Sequence, residues 1–276
     1  WREKLASEIV TRDSPGKEDA RQYVLGACSA EVLEPHIKEW GNDLYAEKEN
    51  HQRFSELKQQ DPFLYRRGMV LEALRKMAGY FAYYPVFQEE AFGGKPEELL
   101  CDPRQIRGIL DLFAEEHIPV FYQVDALSAM GENLSKKEKV LYLERCAKAL
   151  TECAAAQDME RWEEGMLRTI REGSGPACCL GLEILARQGG CYQDLFLSCV
   201  GTGTKQVRTK VLEIGREHPE WKPEVLAFLE SKKVKEREFA VWFLGEWGDP
   251  SCLEAVRTAC GREKNQKLAA SLAALA

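Results

Sequence analysis

The side chains best suited to chemistry in this sequence are four histidines and ten cysteines. The histidines are far apart, and none lies beside a serine or cysteine in a nucleophile elbow; they are His36, His51, His117 and His218. Gly173-Ser174-Gly175 places a serine between glycines, but Pro176 follows directly, which indicates a turn before a helix. No catalytic residue is assigned, and the sequence predicts a chain that is not itself an enzyme.

The cysteines form no C-x-x-C pair and no Cys/His spacing typical of zinc ligands. Several of them fall on apolar helical positions, which indicates small buried side chains in a reducing cytoplasm. A thiol or metal site at Cys178-Cys179 with Cys191 is the alternative interpretation. We therefore predict no metal and no cofactor.

Two features of the N-terminal half each have a binding interpretation. Gly93-Gly94-Lys95-Pro96 lacks the spacing of a phosphate-binding loop, so no such loop is assigned. An aromatic run could form a ligand-binding wall, although core packing between helices explains it more simply; its members are Tyr80, Phe81, Tyr83, Tyr84, Phe87 and Phe92.

Composition narrows the classes of partner. The chain has 276 residues, a net charge of -7 and a pI of about 5.4, which disfavours nucleic acid and anionic membranes. With 45% hydrophobic residues and a mean hydropathy of -0.40, it has no apolar run of membrane-spanning length. The chain starts Trp1-Arg2-Glu3-Lys4, without an initiator Met or a signal-peptide core, so we expect a fragment of a longer protein.

Apolar stripes of helical period recur along the second half of the chain. Their last members are about 30 residues apart, a period typical of helical-repeat proteins; they are Cys153, Leu185, Ile214, Leu244 and Leu275. A second apolar helix is predicted between each pair of stripes, at 162–170, 195–200, 225–229 and 253–260. Alternating strand patterns are lacking, so the fold is predicted to be all-α.

Residues 240–257 resemble a HEAT repeat, of the armadillo-like helical-repeat class, in its short bacterial form. The family has a first helix that ends Leu-Gly-x-x-Gly-Asp-Pro and a second helix with spaced Leu and Val, and the matching residues here are Leu244, Gly245, Gly248, Asp249, Pro250, Leu253 and Val256. More weakly, the whole chain is similar to the repeat region of large bacterial proteins likened to molybdate-metabolism regulators.

The resemblance implies a HEAT-like α-solenoid of antiparallel helix pairs. Residues 136–276 are predicted to be the HEAT-like repeats, and 1–135 an irregular region of helix pairs continuous with them in one solenoid. It further implies a non-catalytic scaffold that binds another macromolecule, most simply a protein, on its concave face. The longer protein could still carry an enzyme domain elsewhere. The predicted partner-binding residues are basic: Arg161, Arg168, Lys232, Lys233, Lys235, Arg237 and Arg257.

A subset of HEAT-like proteins are DNA-binding proteins or alkylated-base DNA glycosylases, which use aromatic residues and an aspartate on a basic surface. Trp242, Trp247, Asp249 and Arg237 supply these residue types, so this class is the alternative function. However, the helix corner already explains Asp249, and the net charge has the wrong sign for a duplex-binding surface. A protein partner is therefore preferred to nucleic acid, and no membrane partner is predicted.

Overall fold

A computed structural model describes residues 1–10, 16–37, 59–77, 103–131, 134–154, 159–189 and 192–276. Across these ranges the chain forms α-helices and short 3-10 helices and no β-strand, which confirms the all-α prediction. The predicted aromatic run at 80–92, the loop at 93–96, His51 and Cys191 lie outside the described residues. None of the helices in the described ranges has the length and apolar character needed to cross a membrane.

The chain divides into two compact units, Trp1–Ile184 (unit 1) and Leu185–Ala276 (unit 2). The predicted boundary near residue 135 falls inside unit 1. In the described ranges of unit 1, the α-helices are α1 (Arg2–Ile9), α2 (Lys17–Leu25), α3 (Glu34–Ile37), α4 (Pro62–Met77), α5 (Pro103–Glu115), α6 (Val120–Met130), α7 (Lys136–Ala154), α8 (Met159–Glu172) and α9 (Gly175–Gln188), the last of which continues into unit 2.

Unit 1 is built around α4, which packs against α1, α2, α3, α5 and α6. Pro62 stands at the first position of α4, where its missing N–H costs nothing, and the buried Asp61 accepts a hydrogen bond from the Leu64 backbone N–H. The core of the unit includes Phe113 and Trp162, both almost fully buried. Burying such large apolar side chains is the main force that holds the helices together.

Unit 2 consists mainly of short helices that follow one another along the chain. They are α10 (Gln193–Thr202), α11 (Lys205–Gly215), α12 (Lys222–Phe228), α13 (Val234–Trp247), α14 (Leu253–Arg262) and α15 (Gln266–Leu275). Sequential pairs contact each other: α10 with α11, α12 with α13, and α14 with α15. In addition, α11 packs on α13 and α13 packs on α15, so these three helices form one layer.

Local chemistry sets the ends of these helices. Gly248 ends α13 in the left-handed conformation with φ of 57°, a region that glycine enters without steric cost. Asp249 then accepts a hydrogen bond from the Ser251 N–H, and Pro250 begins a 3-10 turn that leads into α14. Thr204 and Asn265 cap the starts of α11 and α15 in the same way. The predicted corner at 248–250 is confirmed.

The predicted apolar stripes are largely buried. Four of their five last members, Cys153, Leu185, Ile214 and Leu244, are at most 8% exposed, whereas Leu275 is only partly buried. Other apolar residues of the same helices are also at most 8% exposed: Leu182, Val211, Val241, Phe243 and Leu272. The second helices predicted at 162–170, 195–200, 225–229 and 253–260 fall within α8, α10, α12 and α14, with α12 ending one residue early. Because each helix has a single apolar face, it needs a neighbour to bury that face, and the helix pairs supply one.

Candidate partner-binding surface of unit 2

Exposed lysines lie where the layered helices of unit 2 begin. We call this set the lysine row; it consists of Lys205 at the start of α11, Lys232 and Lys235 around the start of α13, and Lys264 and Lys267 around the start of α15. All of these side chains are exposed, and within the described residues no ion pair is recorded for any of them.

Three contacts place the beginnings of these helices side by side. Arg237, in the first turn of α13, donates two hydrogen bonds to Glu263 just before α15, at 2.8 and 3.2 Å. Arg262 and Glu230, which precede the same two helices, form an ion pair at 3.3 Å. Gly201, at the end of α10 and just before α11, lies so close to the Glu236 carboxylate of α13 that an added Cβ atom would touch it. The lysine row therefore runs along one edge of unit 2.

The carboxylates at this edge are already engaged within the chain. The Glu236 carboxylate accepts hydrogen bonds from the Ser231 hydroxyl and the Lys233 ammonium, which lower its pKa. The hydrogen bond from Arg237 lowers the pKa of Glu263, whose side chain is 5% exposed. These acids are thus less available to neutralise the lysine row.

The opposite edge of unit 2, where α11 ends and α12 and α14 begin, carries acidic residues. Glu217 after α11, Glu224 in α12 and Glu254 in α14 are exposed, with no ion pair recorded for them within the described residues. Arg216 at the end of α11 pairs with Glu246 near the end of α13 at 2.9 Å, which shows that these ends are also adjacent. Unit 2 therefore carries positive charge along one edge and negative charge along the other.

Helix dipoles explain only part of this separation. Glu224 and Glu254 lie in the first turns of their helices, where negative charge is favourable. Lys205, Lys235 and Lys267 also lie in first turns, where a positive charge is unfavourable by roughly 0.3–1 kcal/mol. The helix dipole therefore does not account for the lysines at these helix starts.

Four of the predicted basic residues of unit 2 lie at the edge that carries the lysine row, and the fifth, Arg257, lies on α14. Lys232 and Lys235 belong to the lysine row, and Lys233 lies beside them with its ammonium 2.9 Å from Glu236. Arg237 is mostly buried in its pair with Glu263, so it supports this edge from within. Arg257 is exposed on α14 and donates a hydrogen bond to the Ala276 carbonyl oxygen at 3.1 Å.

The other two predicted residues, Arg161 and Arg168, belong to unit 1. Arg161 is exposed on α8. Arg168 pairs with Glu34 at 2.8 Å and stacks over the Phe121 ring, with its guanidinium carbon 4.4 Å from the ring centroid. Burial by itself lowers the Arg168 pKa, but the hydrogen bonds that Arg168 donates to the Glu34 and Glu172 carboxylates outweigh this effect and raise the pKa. Arg168 thus joins α3, α6 and α8.

The sequence reasoning missed Lys205, Lys264 and Lys267. They are scattered along the chain, and no short motif contains them. Their signal is positional, because Lys205 opens α11 and Lys264 and Lys267 flank the start of α15, as Lys232 and Lys235 flank the start of α13. A comparison of the predicted helix starts with one another would have revealed this pattern.

The residue types proposed for a DNA glycosylase have other contacts here. Asp249 pairs with Lys222, which is the main cause of its pKa falling to about 2. Trp247 packs edge-on against Phe243 in the core, with ring centroids 4.3 Å apart. Trp242 is 46% exposed and lies on a different face of α13 from Trp247. The structure therefore does not gather these side chains around one pocket.

Histidines and cysteines are also dispersed. His36 contacts Asp19 at 2.8 Å, and His218 contacts Glu220 at 2.7 Å while stacking on Trp221. Among the described residues there is no disulfide and no group of three or more His, Cys, Asp or Glu side chains that could hold a metal ion. Cys178 and Cys179 are both buried in α9.

Comparisons with known proteins add no relative to this picture: no family model, curated protein or solved structure matches the chain. The role of the lysine row, and of the acidic residues Glu217, Glu224 and Glu254, is therefore inferred from the chain's own contacts.

Proposed function

We propose that this chain is a helical-repeat scaffold that acts by binding another protein, and that α11 with α12 and α13 with α14 are HEAT-like repeats. The observation that carries the proposal is the separation of charge between the two edges of unit 2, with the lysine row on one side and Glu217, Glu224 and Glu254 on the other. Complementary charge of this kind orients a protein partner and excludes others.

Two further observations support the repeat interpretation. The layer formed by α11, α13 and α15 matches the side-by-side packing of first helices in a helical repeat. The Gly248-Asp249-Pro250 corner ends α13 and leads through a 3-10 turn into α14, at the place where the HEAT-like pattern has its Gly-Asp-Pro. In this proposal the second helices offer mixed charge to the partner, including Glu254 and Arg257 of α14, both exposed.

We also propose a cytoplasmic location, because the ten cysteines lack the paired spacing of a disulfide framework and free thiols suit a reducing compartment. The concave shape of the binding surface and the extent of the solenoid across the whole chain stay predictions.

The test is reconstitution with a purified partner identified by crosslinking and mass spectrometry. The test variant exchanges the charges of α14 with Glu254→Arg and Arg257→Glu, which leaves the net charge unchanged. We expect its affinity for the partner to fall about tenfold or more, because like charges would then face each other across the interface. The matched control exchanges Glu144→Lys and Lys148→Glu on α7, both exposed in unit 1, and should leave affinity unchanged.

Two results would overturn the proposal. One is that no crosslinked protein binds stoichiometrically once purified. The other is that the chain captures nucleic acid and that nuclease treatment removes every partner.

A further inference from the structure

We propose that the lysine row binds an acidic, extended segment of the partner protein. This inference rests on the scaffold function proposed above and specifies the chemistry of the partner. It starts from the finding that the lysines of the row are exposed while the neighbouring carboxylates of Glu230, Glu236 and Glu263 are held by internal ion pairs and hydrogen bonds.

The spacing of the row fits an extended peptide. Helices that pack side by side have axes about 8–10 Å apart, so the lysines of α11, α13 and α15 recur at about that distance. An extended peptide rises about 3.3 Å per residue, so three residues span the same distance. Aspartate or glutamate at about every third position would therefore meet one helix start after another.

The residues around the row favour a protein over a nucleic acid. A nucleic-acid strand carries a phosphate about every 3.4 Å of helix axis and cannot omit charges where the protein is acidic. On α13, the exposed Glu238 lies between Lys235 and the exposed Trp242. A nucleic-acid strand that ran from the lysine row toward this tryptophan would therefore have to pass a carboxylate. A peptide can place neutral residues opposite Glu238, whereas a phosphate backbone would be repelled by it.

The arginines at this edge also favour a protein partner over a nucleic acid. Arginine forks are the side chains best suited to phosphate, and at this edge Arg237 and Arg262 are paired with Glu263 and Glu230. Among the described residues of this edge, the exposed positive charges that form no ion pair are lysines, which act as compact point charges toward carboxylates.

The experiment measures fluorescence anisotropy of a labelled peptide of about fifteen residues, with glutamate at every third position and glycine and serine between. The full chain is titrated at about 50 mM and about 150 mM salt, because screening weakens contacts between exposed charges. The test variant carries Lys205→Glu, Lys235→Glu and Lys267→Glu. The matched control carries Lys136→Glu, Lys137→Glu and Lys148→Glu, which make the same change of charge on exposed positions of α7.

We expect saturable, salt-sensitive binding that the row variant weakens about tenfold or more and the α7 variant changes less than about threefold. A peptide with the same glutamates in one uninterrupted block should bind more weakly. Equal losses in the two lysine variants would overturn the proposal, because binding would then follow net charge alone. Circular dichroism of each variant shows whether the helices remain folded.

A third arm uses single-stranded DNA with the same number of charges as the peptide. Tighter binding of this DNA through the lysine row would assign the row to nucleic acid and overturn the inference. If the reconstituted partner responds to the Glu254/Arg257 exchange but not to the row variant, the inference fails while the proposed scaffold function stands. If the partner responds to neither, the scaffold proposal loses its support as well.

Discussion

Arg237 and Glu263 form a two-pronged ion pair, 2.8 and 3.2 Å long, between residues 26 positions apart in the sequence. The remaining guanidinium nitrogen donates to the Ser231 carbonyl oxygen at 2.8 Å. The pair therefore joins the loops before α13 and α15, and it does so with side chains only 18% and 5% exposed. Its geometry holds together the edge on which the lysine row lies.

Removing one partner of this pair should be costly. We expect Glu263→Gln to lower the free energy of unfolding by about 1–3 kcal/mol, because a largely buried guanidinium would lose its charged partner. The matched control is Glu230→Gln, since Glu230 pairs with Arg262 at 3.3 Å and both side chains are more than 60% exposed. That change should cost less than about 1 kcal/mol. Urea unfolding gives both values, and equal losses would show that the Arg237 pair has no special role.

A second buried charge organises unit 1. The side chain of Glu116 is 3% exposed and lies 2.8 Å from Arg66 and 2.9 Å from Arg67. Arg67 also stacks over the rings of Tyr23 and Phe63, each 4.8 Å from its guanidinium carbon. One carboxylate thus holds two arginines of α4 against the end of α5.

We expect Glu116→Gln to destabilise the protein by about 3–5 kcal/mol, the usual cost of leaving buried charges without their partner. Glu115→Gln is the control, because Glu115 is the adjacent residue, pairs with Arg66 at 3.1 Å and is 59% exposed. We expect it to cost less than about 1 kcal/mol. The measurement is urea unfolding followed by tryptophan fluorescence, to which Trp162, almost fully buried in unit 1, contributes. A Glu116 variant as stable as the Glu115 variant would contradict this account.

The apolar stripe of α13 can be tested at a single position. Leu244 is 5% exposed, and Leu244→Ala should cost about 2–5 kcal/mol through lost burial and the cavity left behind. Trp242→Ala, on the exposed side of the same helix, should change stability by less than about 0.5 kcal/mol. Because repeats contact mainly their neighbours, hydrogen exchange should increase most in α13 to α15. Uniform exchange along the whole chain, or a melting temperature unchanged by Leu244→Ala, would contradict the prediction.

Much of the fold follows from the sequence because apolar periodicity and corner residues are local signals. The stripes that end at Ile214 and Leu244, and the corner at Gly248, lie where they were predicted. Such signals need only neighbouring residues, and the burial of one apolar face per helix largely determines the helix pairing.

The partner-binding surface was only partly predictable, since it depends on residues brought together by packing. Lys232 and Lys235 form a visible basic run, but Lys264 and Lys267 join them only because α13 packs on α15. Conversely, Arg237 is part of that run but turns inward, because Glu263 lies within reach of its guanidinium. No pattern around residue 237 indicates a partner 26 positions away.

The ion pair between Asp249 and Lys222 should make stability depend on pH. The Lys222 ammonium and the Ser251 N–H lower the Asp249 pKa from 3.8 to about 2 in the folded protein. A carboxyl whose folded pKa is depressed contributes stability above its unfolded pKa and loses that contribution as the pH falls through the folded value. The contribution of Asp249 should therefore be complete above pH 4 and decrease from pH 4 toward pH 2.

Asp249→Asn isolates this charge, because asparagine can still accept the hydrogen bond from the Ser251 N–H. We expect the variant to melt below the unmodified protein at neutral pH, and the difference in melting temperature to shrink as the pH falls from 4 to 2. The control is Glu144→Gln, an exposed position in the middle of α7 that forms no ion pair within the described residues, and its melting difference should stay near zero at every pH. A melting difference for Asp249→Asn that is constant from pH 7 to pH 2 would show that the carboxylate charge does not stabilise the corner between α13 and α14.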